Sequence, residues 1–165
     1  MGLKEQRVGD SEAFSPPGAE DGDLHNVGAL ADILGFHIRL AHVAVYRHFA
    51  ETFQDLDLTQ KQVSVLWLIG DHPGIAQTDL SRLLQMDRAT TMALINRLQA
   101  RHFLRRGRAM NDKRKQALFL EPEGDAILAR AKQAVREHEA WLKGRFTHSE
   151  VKRLTALLTR IHGAA

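Results

Sequence analysis

The sequence has no cysteine, which removes disulfides, thiol catalysis and thiol redox sensing together. No apolar run approaches the roughly 18 residues that a membrane-spanning helix needs. The first residues hold no cationic start followed by an apolar stretch, so no secretory signal is expected. These absences agree with a cytoplasmic protein. A glycine-rich phosphate loop is missing too, since "GDHPG" at Gly70–Gly74 reads as the stop of a helix. Catalysis needs a nucleophile with its base, a carboxylate pair or a metal cluster, and no such arrangement stands out. The nine histidines invite a metal. Yet His37, His42 and His48 lie five and six residues apart, off the i, i+4 spacing that puts two ligands on one helical face. His138 and Glu139 are adjacent and diverge. Neither an enzyme nor a cofactor is expected.

What is present is a lopsided charge distribution. Residues 1–24 carry Lys4 and Arg7 against Glu5, Asp10, Glu12, Glu20, Asp21 and Asp23, a balance of −4. With "SPPG" at Ser15–Gly18 and no apolar periodicity, this segment reads as a flexible acidic tail. Residues 88–115 carry Arg88, Arg97, Arg101, Arg105, Arg106, Arg108, Lys113, Arg114 and Lys115 against Asp112 alone, a balance of +8. A charge run is often only a solvated face. So one-sided an excess is costly without a counter-charge, and it points to a nucleic-acid surface.

The rest reads as helix almost throughout. At 165 residues and 44% hydrophobic, the chain can build one small domain plus oligomerising elements. Between Leu30 and Phe53, Phe36, Leu40, Val43 and Ala50 form one apolar stripe, and Leu34, Ile38, Ala41, Val45 and Phe49 form another. A helix apolar on two faces is expected to be buried on two faces. "LTQKQVSVLWLIGDHPG" opens with a capping box, Thr59 with Gln62, and stops at Pro73-Gly74. "AQTDLSRLLQM" and "DRATTMALINRLQARHF" form two short helices, the second capped by Asp87. A strand pair with a basic tip, "RRGRAMNDKRK", follows at residues 105–115. Pro122 then suits the first turn of a long helix whose stripe includes Ile127, Ala131, Ala134, Val135, His138, Trp141 and Leu142. "THSE" at Thr147–Glu150 is a second capping box, before a helix carrying Val151, Leu154, Leu158 and Ile161 on one face.

Helix, short turn, helix and basic hairpin describe a mainly α winged helix-turn-helix with a two-stranded β wing, flanked by N- and C-terminal dimerisation helices. Its second helix enters the major groove. Leu94, Ile95 and Leu98 anchor that helix, leaving Arg88, Thr90, Met92, Ala93 and Asn96 outward. The domains expected are the acidic tail 1–24, a dimerising helix over 25–58, the DNA-binding domain over 59–121 and dimerising helices over 122–165. Candidate DNA contacts are Gln77 and Thr78 at the start of the first helix of the pair, Arg88, Thr90, Thr91 and Asn96 on the second, and Arg106, Arg108, Asp112, Lys113 and Arg114 in the wing. Thr91 lies nearest the core.

The stretch from about Gly35 to Gly124 resembles the MarR family of bacterial transcriptional regulators. "GFHIRLAHVAVYRHF" is similar to the family's first helix, "LTQKQVSVLWLI" to its second and "QTDLSRLLQMDRATTMALINRLQARHFL" to its helix-turn-helix. "NDKRKQALFLEPEG" resembles its Asp-Arg-Arg wing and Leu-Thr-x-x-Gly ending, so that Asp112 and Arg114 fall on the pair that braces the wing and offers an arginine to the minor groove. "QMDRATTM" is similar to members controlling aromatic-acid catabolism. Departures are Gln85 and His102 where glycines are usual, Ala93 where an arginine often reads a base, and Glu121 in place of threonine. The resemblance implies a homodimer on a pseudo-palindromic operator in double-stranded DNA, a repressor released by a small effector. The apolar faces of the first and last helices agree with dimerisation independently, being more than one chain needs to cover itself. Effector contacts are expected from His37, Arg39, His42, Tyr46 and Trp67, polar or aromatic groups on apolar helices, suited to an aromatic carboxylate or its thioester. The competing expectations are a sequence-indifferent architectural DNA binder and a metal-responsive regulator of the same fold.

Overall fold

The computed structural model describes residues 27–108 and 116–163. The acidic tail and the wing tip with Asp112, Lys113 and Arg114 lie outside the described residues. The chain forms two compact units, residues 1–39 and 40–165. In the first, a 3-10 turn at Gly28–Asp32 leads into α1 (Leu34–Thr52), which continues into the second.

The second unit continues from α1 through a 3-10 turn at Gln54–Leu56 to α2 (Gln60–Asp71). Its N-terminus has the expected box: the Thr59 hydroxyl accepts from the Gln62 amide at 3.3 Å, and the Thr59 amide donates to Gln62 Oε1 at 2.8 Å. Reciprocal capping satisfies two donors that a helix start leaves unpaired. β1 (Ile75–Ala76), α3 (Gln77–Leu83), α4 (Arg88–Ala100), β2 (Leu104–Arg108) and β3 (Gln116–Leu120) follow, then α5 (Pro122–Lys143) and α6 (His148–His162). Pro122 occupies the first turn of α5, and Thr147 with Glu150 forms the second capping box.

The sheet holds the expected two-stranded wing and extends it by one strand. The wing strands pair antiparallel, Leu104 opposite Leu120 and Arg108 opposite Gln116, but β1 adds a third strand through Ile75–Leu118 and Ala76–Ala117. This short strand ties the entrance of the helix pair to the base of the wing. Val65, Leu66 and Ile69 of α2, Leu80 of α3, Ile95 and Leu98 of α4, Leu104, Leu118 and Leu128 make the core beneath.

Glycine matters most at Gly124. A Cβ there would lie 1.8 Å from the Phe103 carbonyl oxygen, which also accepts the Glu121 amide at 3.1 Å. The start of α5 therefore presses on the chain leaving α4, and only a residue without a side chain fits. The two turns flanking α4 use left-handed backbone at Gln85 (φ +50°) and His102 (φ +58°), the two positions where the resemblance has glycines.

α1 buries Phe49 alone of its side chains, and α6 buries none. Within one chain the expected burial of α1 on two faces is not met. Leu154, Leu157, Leu158 and Ile161 leave an apolar face of α6 uncovered. Among the described residues no helix is long and apolar enough to cross a membrane.

Candidate nucleic-acid interface

α4 begins at Asp87, whose carboxylate accepts from the Thr90 amide at 2.8 Å and the Thr90 hydroxyl at 2.6 Å. The Thr90 hydroxyl bond, then the Thr90 amide, hold the Asp87 carboxyl below the usual carboxylate range. Thr90 thereby gives its hydroxyl proton to the protein and keeps its oxygen as an acceptor. Leu94, Ile95 and Leu98 are buried as the spacing required, while Arg88, Met92, Ala93, Asn96 and Arg97 are exposed. After Asp87, α4 contains no acid.

Thr91 is a correction. Its side chain is 0% exposed and its hydroxyl donates to the Asp87 carbonyl at 2.9 Å. A side chain sealed in the core cannot reach a base, so Thr91 supports the helix and does not touch DNA. At the start of α3, Thr78 is exposed and Gln77 half-buried.

The wing strands carry their arginines along α4. Arg106 donates from Nη2 to Asn96 Oδ1 at 2.6 Å and from Nη1 to Gln99 Oε1. Arg105 pairs with Glu121 at 3.2 Å and covers the Phe119 ring at 4.7 Å. Arg108 ends β2, exposed. Arg101, at the end of α4, is turned inward, donating to the Asp57 carbonyl at 2.6 Å with the Asp57 carboxylate at 3.4 Å. Among the described residues no carboxylate pairs with Arg88 or Arg97. The outward face is thus a cationic ridge with short polar groups between the charges, the arrangement that tracks phosphates while reading base edges.

A MarR-family model matches residues 56–115. The putative transcriptional regulatory protein for the hcr operon of Thauera aromatica is 30% identical over 136 residues, 82% of either chain. The chain belongs to the MarR family. It is a winged-helix transcriptional regulator. The homoprotocatechuate degradative operon repressor of Escherichia coli is 24% identical, over 77% of this chain and 86% of that one. Among solved MarR-type structures, the repressor CouR bound to a 23-mer DNA duplex superposes with a TM-score of 0.76 and 32% identity, covering 82% of this chain and 96% of that one. CouR bound to p-coumaroyl-CoA gives 0.75 and 31%, covering 82% and 95%.

The expected effector residues are dispersed. In the first unit, His37 Nε2 bonds the Ala31 carbonyl oxygen at 2.6 Å, and the Arg39 guanidinium stands 5.2 Å from the Phe36 ring centre. In the second, His42 lies 6.2 Å from Tyr46, and Trp67 is covered by the Lys132 ammonium at 4.7 Å. Only Tyr46 lines a cavity of about 410 Å³, which it shares with Phe49, Phe53, Gln60, Arg97 and Arg101. Phe49 and Phe53 stack at 3.9 Å beside it. Nothing in the sequence marks this cavity, because it depends on α4 meeting the far end of α1, which no local spacing reveals.

A histidine pair is likewise unmarked in the sequence. His48 of α1 and His138 of α5, 90 residues apart, meet at their Nδ1 atoms, 2.8 Å apart. No group of three or more metal-ligating side chains occurs among the described residues.

Proposed function

We propose that this regulator is a homodimeric, sequence-specific repressor of the cytoplasm that leaves its operator when it binds a small anionic aromatic molecule or its thioester. It acts by binding and not by catalysis. The carrying observation is the exposed cationic face of α4 from Arg88 to Arg97, continued by the arginines of β2. In this reading residues 59–121 contact DNA, and residues 25–58 and 122–165 dimerise. Support for dimerisation comes from α6, whose apolar face needs a cover of matching chemistry. Gln77, Thr78, Arg88, Thr90, Asn96, Arg108 and the wing-tip residues Asp112, Lys113 and Arg114 form the DNA-facing set, with Arg106 as their brace.

The effector is placed at the Tyr46 cavity, beside His42. Phe49 and Phe53 offer an aromatic floor and Arg97 a cation, which suits a ring with a carboxylate. Arg97 belongs to α4, so a ligand held there bears on the helix that reads DNA. A second link runs from the Gln85 side chain, at the helix-turn-helix turn, to the His162 carbonyl oxygen of α6 at 3.2 Å. The ligand favours a spacing of the two recognition helices that no longer fits half-sites about one helical turn apart. About 1.4 kcal/mol of coupling gives a tenfold loss of DNA affinity, and operator must weaken the ligand by the same factor. Calorimetric titration of p-coumarate and p-coumaroyl-CoA, with and without operator, tests this. Weaker binding of either compound in the presence of operator supports the reading. Equal affinities for a compound that binds, or no binding by both, contradict an effector of this class.

A further inference from the structure

The bridge from Arg106 to α4 fixes more than a position. A guanidinium has five N–H donors and no acceptor. The carboxamide atoms turned toward it must therefore be the oxygens of Asn96 and Gln99, which settles an orientation that side-chain shape alone leaves open. With Asn96 Oδ1 held at 2.6 Å by Nη2, and Gln99 Oε1 held by Nη1, the Asn96 N–H groups are left facing away from the guanidinium, on a side chain that is exposed.

An unconstrained asparagine reads adenine, donating to N7 while its oxygen accepts from the N6 amine. That pairing needs the oxygen. Guanine offers N7 and O6, two adjacent acceptors that ask only for donors.

We propose that Arg106 is a specificity-determining residue: by engaging one lone pair of the Asn96 oxygen and setting its positive charge beside the other, it disfavours an approaching amine donor, so that Asn96 reads chiefly by donating and selects guanine over adenine at one base pair of each half-site. Arg106 is a positioning residue here, since one N–H of each Nη group is held by α4. The inference rests on the reading of Asn96 as a base contact.

The test selects operators from a randomised duplex pool with the full chain and with the Asn96→Ala and Arg106→Met variants, then sequences the bound DNA. The unmodified chain is expected to enrich guanine at one position, and Asn96→Ala to flatten that position alone. Arg106→Met, which keeps an unbranched stem without donors, is expected to shift the same position toward adenine by about tenfold while its neighbours stay as they were. Replacing that guanine with 7-deazaguanine is expected to weaken the unmodified chain about tenfold and to leave Asn96→Ala unchanged. This arm needs no Arg106 variant to fold. If Asn96→Ala alters no position, the base contact itself is wrong and the proposal falls with it. If Asn96→Ala flattens a position at which the unmodified chain enriches any base but guanine, or at which Arg106→Met leaves guanine enriched, the contact stands and the role given to Arg106 is overturned.

Discussion

His48 and His138 meet nitrogen to nitrogen, 2.8 Å between their Nδ1 atoms, with the His48 ring lying on Trp141 at 3.8 Å. One Nδ1 must carry the proton and the other must accept it, so the contact survives one imidazolium and not two. Burial, then the charge of His48, holds His138 below the ordinary histidine value, against a weaker opposite pull from Glu139. A histidine depressed in the folded state contributes stability that is complete above the unfolded value of 6.5 and is lost as pH falls through the folded value. Thermal stability is therefore expected to decline as pH drops below 6.5. A His138→Gln variant is expected to show a shallower decline between that pH and 5 or so. Melting curves over this range check it, and parallel pH profiles for the two proteins contradict it.

Gly124→Ala is expected to be the most disruptive single methyl in the described chain. Its Cβ would sit 1.8 Å from a backbone oxygen, which cannot rotate away as a side chain can. Overpacking of this kind costs about 2 kcal/mol or more. Denaturant unfolding measures it; a midpoint within error of the unmodified chain would refute the close approach.

His102→Gly should act in the opposite direction. At φ +58° a histidine carries the left-handed penalty of about 1–2 kcal/mol that glycine avoids. Part of that gain is returned as glycine's greater freedom when unfolded, leaving about 0.5–1 kcal/mol. The expected rise in melting temperature is about 1–4 °C, with operator affinity unaltered. A fall in melting temperature would mean that the imidazole makes a contact worth more than the strain.

How local each feature is decided whether the sequence disclosed it. The caps at Thr59, Asp87 and Thr147 were legible because a cap is local chemistry, settled within four residues. The buried side of α4 was legible because Leu94, Ile95 and Leu98 keep helical spacing. The left-handed turns at Gln85 and His102 were legible by similarity, through glycines expected there. The third strand was not, since two residues carry no periodicity. The Tyr46 cavity, the Arg106 bridge and the histidine pair were hidden for another reason: each joins side chains from separate elements. Thr91 was misplaced because a threonine one step toward the core looks, in sequence, like the threonine before it. Spacing put Thr90 and Thr91 about 100° apart on the helix, and packing decided between them.

At the wing, Arg114→Ala is expected to weaken operator binding and to lower the dependence of log affinity on log salt by roughly one unit per wing, one counterion fewer being released. Titrations at several salt concentrations read the slope directly. An unchanged affinity and slope would remove Arg114 from the contact.

The measurement that bears most directly on the whole account is competition between two duplexes at one salt concentration. A labelled operator recovered by selection is bound by the full chain, then challenged with the same duplex whose half-sites have been scrambled. Charge alone holds both equally, because phosphates carry no sequence. Base reading by α4 predicts that the operator is held about a thousandfold or more tighter and survives a large excess of the scrambled competitor. Displacement by an equal amount of scrambled duplex would contradict sequence-specific repression and leave an architectural binder in its place.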